Sequence, residues 1–231
     1  MSVTELIKVD SLSGDEVRTR WEEAYVRFET PEQELAKFIS RLKRLGQADW
    51  KRDAQIVDIF CGRGNGLKAL ELLGFTNLEG VDISPELVAR YNGPARMHVA
   101  DCRNLPFEDE SRDIVIVQGG LHHLPQIPED LDRTLSEVRR VLRPNGLFVM
   151  VEPWLTPFLQ IIHFASEQRI VRAASQKFDA FATMTHYEAD TYFPWLDAAD
   201  SILRSLDQNF VTTTMKRGFG KLNFIGKPRK Q

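Results

Sequence analysis

The chain has 231 residues, enough for one sizeable domain with an insertion. Its 42% hydrophobic and 27% charged residues are ordinary for a globular protein, and a net charge of −3 gives no reason to expect a nucleic-acid partner. Two cysteines, Cys61 and Cys102, imply no disulfide framework and suit a reducing, cytoplasmic setting. Residues 1–10 lack a basic stretch followed by an apolar run, so no signal peptide is expected. No apolar run approaches the length of a membrane span, so no integral membrane association is expected.

In chain order, the first fifty residues read as helices. Trp21, Tyr25 and Phe28 share one helical face, with Ala24 beside them. Thr30, Pro31 and Gln33 form a helix start with a capping box. Leu35, Phe38, Ile39, Leu42 and Leu45 follow at helical spacing, and Gly46 marks the stop. From Ala54 the pattern alternates. Strands are predicted at 55–60, 78–82, 95–100, 113–118 and 147–152, with helices at 67–74, 85–91 and 131–142. Pro144 and Asn145-Gly146 are read as the turn before the fifth strand. Such alternation predicts a mostly parallel sheet covered on both faces. Residues 154–209 break the alternation with helical stretches, and two closing strands are predicted at 211–216 and 221–226. Four segments follow: a helical cap (1–53), an α/β core (54–153), a helical insertion (154–209) and closing antiparallel strands (210–231). The basic residues near the end, Lys216, Arg217, Lys221, Lys227, Arg229 and Lys230, read as a solvated face and tail.

Residues 56–66 carry the most information. An apolar strand runs into Cys61-Gly62-Arg63-Gly64-Asn65-Gly66, and a helix pattern follows. The glycines permit positive φ or close approach of a ligand to the backbone. Asp58 lies inside the strand, and a carboxylate there is costly without a partner such as a ligand ammonium. This run resembles motif I of the class I S-adenosylmethionine-dependent methyltransferases. A dinucleotide dehydrogenase would place its third glycine at position 67, which is Leu here, and has no need of Asp58.

The resemblance implies a doubly wound α/β fold: a mostly parallel, seven-stranded, Rossmann-like sheet with helices on both faces. It implies S-adenosyl-L-methionine as cofactor, held at the carboxyl edge of the sheet. The implied binding residues are Asp58, Cys61, Gly62, Arg63, Gly64 and Gly66 at the first strand, and Asp82 and Ile83 at the second. Asp101 and Cys102 follow at the third strand, and Gln118 and Gly119 at the fourth. Trp21 and Tyr25 either close over the cofactor, with an aromatic face against its sulfonium, or equally pack an N-terminal helix on the core. Taken singly, Asp82 reads equally as an acid at a helix N-terminus and Asp101 as a turn residue. Four strand ends agreeing is harder to ascribe to chance.

His122, His123 and Glu152 are the catalytic candidates, although a His-His-Leu element there serves equally as a wall of the cofactor site, and Glu152 equally binds substrate or joins a buried polar network. His186, Tyr187, Glu188, Asp190 and Tyr192 offer hydrogen bonds to an acceptor or form a surface turn. The insertion carries Trp154, Phe158, Phe164, Phe178, Phe181, Phe193 and Trp195. They favour a small-molecule acceptor with an apolar or aromatic part, or alternatively a local core or dimer contact. A non-catalytic binding module and a macromolecular methyltransferase with a partner subunit are the other readings. No metal is expected, and the chain is expected to be a monomer or homodimer.

Overall fold

The computed structural model describes residues 14–230. The signal-peptide reading at residues 1–10 and the first part of the helical cap lie outside the described residues.

Helix α1 (Gly14–Phe28) is followed by α2 (Pro31–Arg44). Thr30 Oγ1 accepts from the Gln33 N–H while the Gln33 side chain accepts from the Thr30 N–H, so the capping box forms as its residues predict. The core then alternates β1 (Ile56–Ile59), α3 (Asn65–Leu72), β2 (Leu78–Asp82), α4 (Pro85–Ala89) and β3 (Arg96–Val99). It continues through β4 (Arg112–Gln118), α5 (Glu129–Val141) and β5 (Leu142–Pro153). Five helices make the insertion: α6 (Pro157–Glu167), α7 (Arg169–Ala174), α8 (Gln176–Tyr187), α9 (Ala189–Asp197) and α10 (Ala199–Asn209). Strands β6 (Phe210–Gly218) and β7 (Lys221–Pro228) close the chain.

One seven-stranded sheet results, in the order β3-β2-β1-β4-β5-β7-β6. Strands β1 to β5 are parallel, and β7 runs antiparallel between β5 and β6. Two apolar layers cover its faces. Val57, Ile59, Val115 and Val117 pack with Leu131, Leu135 and Val138 of α5 and Ile202 and Leu206 of α10. Ile56, Ile114, Ile116 and Val149 pack with Leu42 of α2 and Leu67 and Leu70 of α3. All four residues of β1 are buried, as expected for a central strand with helices on both sides.

Two differences from the sequence reading have plain causes. Strand β5 begins at Leu142, before the Pro144-Asn145-Gly146 segment read as a turn. Leu142 pairs with Arg112 and regular pairing resumes at Ile114–Leu147, so the segment is absorbed as an irregularity in the ladder. The insertion aromatics also divide. Trp195 is fully buried and its Nε1–H donates to the Pro153 carbonyl at 2.9 Å, whereas Phe164 is 67% exposed. Helix α1 lies against α8, with Arg27 3.3 Å from Asp179 and Phe28 against Phe181. These two helices roof the carboxyl edge of the sheet.

Candidate functional site

A cavity of about 1030 Å³ lies under that roof. The strand ends supply its polar wall. Beyond β1 the backbone turns sharply: Phe60, Gly62 and Gly64 all have positive φ. For Phe60 this is a strained conformation. It brings the ring against Gly120, where any Cβ would collide with it. A Cβ on Gly66 would likewise collide with the Asp58 carboxylate.

Asp58 is 4% exposed and lines the cavity. Among the described residues its carboxylate has no hydrogen-bond donor, and burial together with the charge of Asp82 pushes its pKa up to about 7. The Asp82 carboxylate accepts from the Gly62 N–H at 2.7 Å and the Ser84 N–H at 2.9 Å, tying the glycine loop to the start of α4. Ile83 beside it is 66% exposed and lines the cavity, an apolar platform for a flat ring. Asp101 receives both Nε and Nη2 of Arg103, which holds its pKa below the usual carboxylate range. Carboxylate oxygens accept more than one hydrogen bond, so Asp82 and Asp101 keep capacity towards a ligand.

Cys61 and Cys102 both line the cavity. Both side chains are buried and burial pushes both thiols up, Cys102 to about 11. Cys61 packs in the core and Cys102 contacts Thr134 Oγ1 at 3.6 Å. Arg63 lies over the Tyr25 ring at 5.6 Å, and Tyr25 stacks on Trp21 at 5.0 Å and donates to Glu34. Gln118 accepts from Arg41 Nη1 at 3.1 Å, and Gly119 turns the chain with positive φ.

Beyond the end of β4, His122 Nδ1 lies 2.8 Å from Glu152 Oε2. Glu152 Oε1 accepts from the Gly120 and Leu121 N–H groups at 2.8 and 2.9 Å. Glu152 is 1% exposed and lines the cavity beside His122. His123 packs on His122 with ring centroids 4.1 Å apart, and its Nε2 is 3.8 Å from Glu188. The ligating atoms of His122, His123 and Glu188 lie within 4.8 Å of one another.

Glu34, Arg41 and Lys221 line the cavity without a local sequence signal for it. Arg41 is 7% exposed and its guanidinium is met by the neutral Gln118. Lys221 corrects the reading of a solvated basic tail, since it lines the cavity. Of the seven insertion aromatics, Phe158, Phe178 and Phe181 line the cavity.

The comparisons agree with this geometry. Residues 57–150 match the methyltransferase domain family. Over 154 residues the chain is 29% identical to a ubiquinone/menaquinone biosynthesis C-methyltransferase of Geotalea daltonii, covering 55% of this chain and 63% of that protein. It is 34% identical over 104 residues to a probable phthiotriol/phenolphthiotriol dimycocerosates methyltransferase of Mycobacterium ulcerans, covering 42% and 39%. The match spans only about half the length of such curated relatives: 63% and 49% for the first two. Among solved structures, a Methanococcus maripaludis protein described as a methyltransferase superposes with a TM-score of 0.61 at 16% identity, covering 93% of both chains. A geranyl diphosphate methyltransferase complexed with S-adenosylmethionine gives 0.59 at 16% identity, covering 86% of both. The matched stretch is the α/β core from β1 into β5, and its fold is that of the class I methyltransferases superposed on it. The cofactor of that class is S-adenosylmethionine.

The glycine loop, the lone Asp58 carboxylate and the open capacity of Asp82 suit the ammonium and ribose of that cofactor. Asp82→Ala is expected to weaken S-adenosylhomocysteine binding about 5- to 150-fold, by loss of charge-assisted hydrogen bonds. Calorimetric titration checks it; unchanged affinity would mean the ribose lies elsewhere.

Proposed function

We propose that the chain transfers the methyl group of S-adenosylmethionine to a small molecule with a sizeable apolar part. The observation that carries this reading is the continuity of one cavity. It runs from Asp58 and Asp82 to the His122–Glu152 pair and on to Phe158, Phe178 and Phe181. Its volume lies at the top of the roughly 300–1000 Å³ range of small-ligand sites, room for two ligands side by side. The names of the relatives, quinone and long-chain lipid methyltransferases, support an apolar acceptor.

In this reading Asp58 pairs with the cofactor ammonium, Asp82 takes the ribose hydroxyls, and Asp101 with the Cys102 backbone faces the adenine. Arg41 is the counter-ion for the cofactor carboxylate. The bound cofactor supplies an electrophilic methyl group. The protein's part is to hold an acceptor in line with it and to exclude water under α1 and α8. His122 takes the acceptor proton on Nε2, because Glu152 holds Nδ1. His123, Glu188 and Tyr192 form the surrounding polar wall.

The test is titration with S-adenosylmethionine, S-adenosylhomocysteine and NAD, followed by acceptor screening with a labelled methyl group. Binding of both adenosyl ligands without NAD is expected. Binding of NAD alone would overturn the reading.

A further inference from the structure

Lys221 is the first residue of β7, and its Cα is paired with Pro153 at the carboxyl end of β5. It lines the cavity, its charge acts on His122, and Leu159 lies against the adjacent Gly220. No carboxylate among the described residues forms an ion pair with it. The two acids whose charges act on it are already engaged. Glu152 holds His122 and two backbone N–H groups, and Glu29 pairs with Lys37. Its other charged neighbours are cations, Arg41 and Lys37 of α2. Burial first, and then these cations, push Lys221 down to about 7.

A half-buried ammonium beside two further cations is unfavourable unless a ligand brings negative charge. The cofactor is not the natural source. Asp58 lies in β1 and the glycine loop follows it, whereas Lys221 opens β7, three places along the sheet with β4 and β5 between. Arg41, bonded to Gln118 at the end of β4, stands closer to the cofactor side. The wall also has an apolar side here: Leu159 lies against Gly220, the neighbour of Lys221, and Phe158 packs on Phe219.

We propose that Lys221 anchors an anionic group on the methyl acceptor, a carboxylate or a phosphate, whose apolar remainder lies against α6 and the β6–β7 turn. This inference rests on the methyltransferase reading and narrows its substrate class to amphipathic anions.

The test is calorimetric titration with decanoate, decyl phosphate and decanol, with and without saturating S-adenosylhomocysteine. At least one of the two anions is expected to bind about tenfold or more tighter than decanol, the effect of one charge-assisted contact. Which one does so separates a carboxylate from a phosphate acceptor. Lys221→Met should abolish that preference and leave S-adenosylhomocysteine affinity unchanged, while Lys221→Arg should retain it. Equal binding of all three probes, no binding of any, or a preference that survives in Lys221→Met would overturn the inference. Failure of the wild type to bind S-adenosylhomocysteine would instead count against the methyltransferase reading, and the anion preference is read without that ligand.

Discussion

His122→Asn is expected to lower the methyl-transfer rate by about 10²- to 10⁴-fold, the usual contribution of a positioned general base. S-Adenosylhomocysteine affinity should change little, since the proposed role sets the imidazole towards the acceptor. The structure gives the reason. Glu152 is fixed by two backbone N–H groups and fixes in turn the Nδ1 side of His122, leaving Nε2 for the cavity. Burial pulls the His122 pKa down, but the hydrogen bond and charge of Glu152 outweigh it and leave it above the ordinary 6.5. A base is active when neutral, so the rate should rise with pH through a pKa above 6.5. Glu152→Gln removes the charge and keeps the burial, so this limb should move to lower pH. The stability effect has the opposite sense. A histidine with a raised folded pKa stabilises fully below its unfolded pKa, and that contribution is lost as pH rises through the folded value. Melting temperatures from pH 6 to 9 should therefore fall more in the wild type than in Glu152→Gln. A rate unaffected by His122→Asn would assign the dyad to holding the β4 loop alone.

Much of this arrangement was legible before any coordinates, and the limits are instructive. Strands β1 to β5 announce themselves because a buried parallel strand is a short apolar run bounded by turn residues. The chain direction then sends Asp58, Asp82, Asp101 and Gln118 to one edge without further information. Local chemistry also sufficed for Thr30 and Gln33, whose capping box involves residues only three apart. What escaped depends on pairings distant in sequence. Lys221 reads as one more cation of a basic tail until β7 is inserted between β5 and β6, which sets it opposite Pro153. Glu152 was visible as a strand-end acid. Its pairing with His122 needed the 30-residue separation between them to be closed by the sheet. Trp195 and Phe158 are equally apolar in sequence. Only the docking of α9 beneath Pro153 sends one to the core and leaves the other at the cavity.

Asp58→Asn should produce a protein that is more stable and binds its cofactor less well. In the ligand-free protein the carboxylate is buried, has no donor among the described residues, and faces Asp82, so its pKa rises from 3.8 to about 7. For an acid with a raised folded pKa, the native state is favoured below the unfolded value. Stability is then lost as pH climbs through the folded value. A shift of this size corresponds to a penalty on the order of 4 kcal/mol at pH 8. Asparagine has no charge to desolvate, but its amide must still be accommodated, so a gain of about 1–3 kcal/mol is expected in denaturant unfolding at pH 8. Little or no gain should remain at pH 4. The same substitution removes the partner for the cofactor ammonium and should weaken S-adenosylmethionine binding by about tenfold or more. The two effects share one cause: a charge that is costly in the empty fold is offset only when the ligand arrives. In the wild type, cofactor binding at pH 6 should therefore release a proton, read by calorimetry in buffers of different ionisation enthalpy. That release should vanish in Asp58→Asn. Full affinity in the variant, or binding at pH 6 with no proton released by the wild type, would mean that Asp58 is not the ammonium's partner.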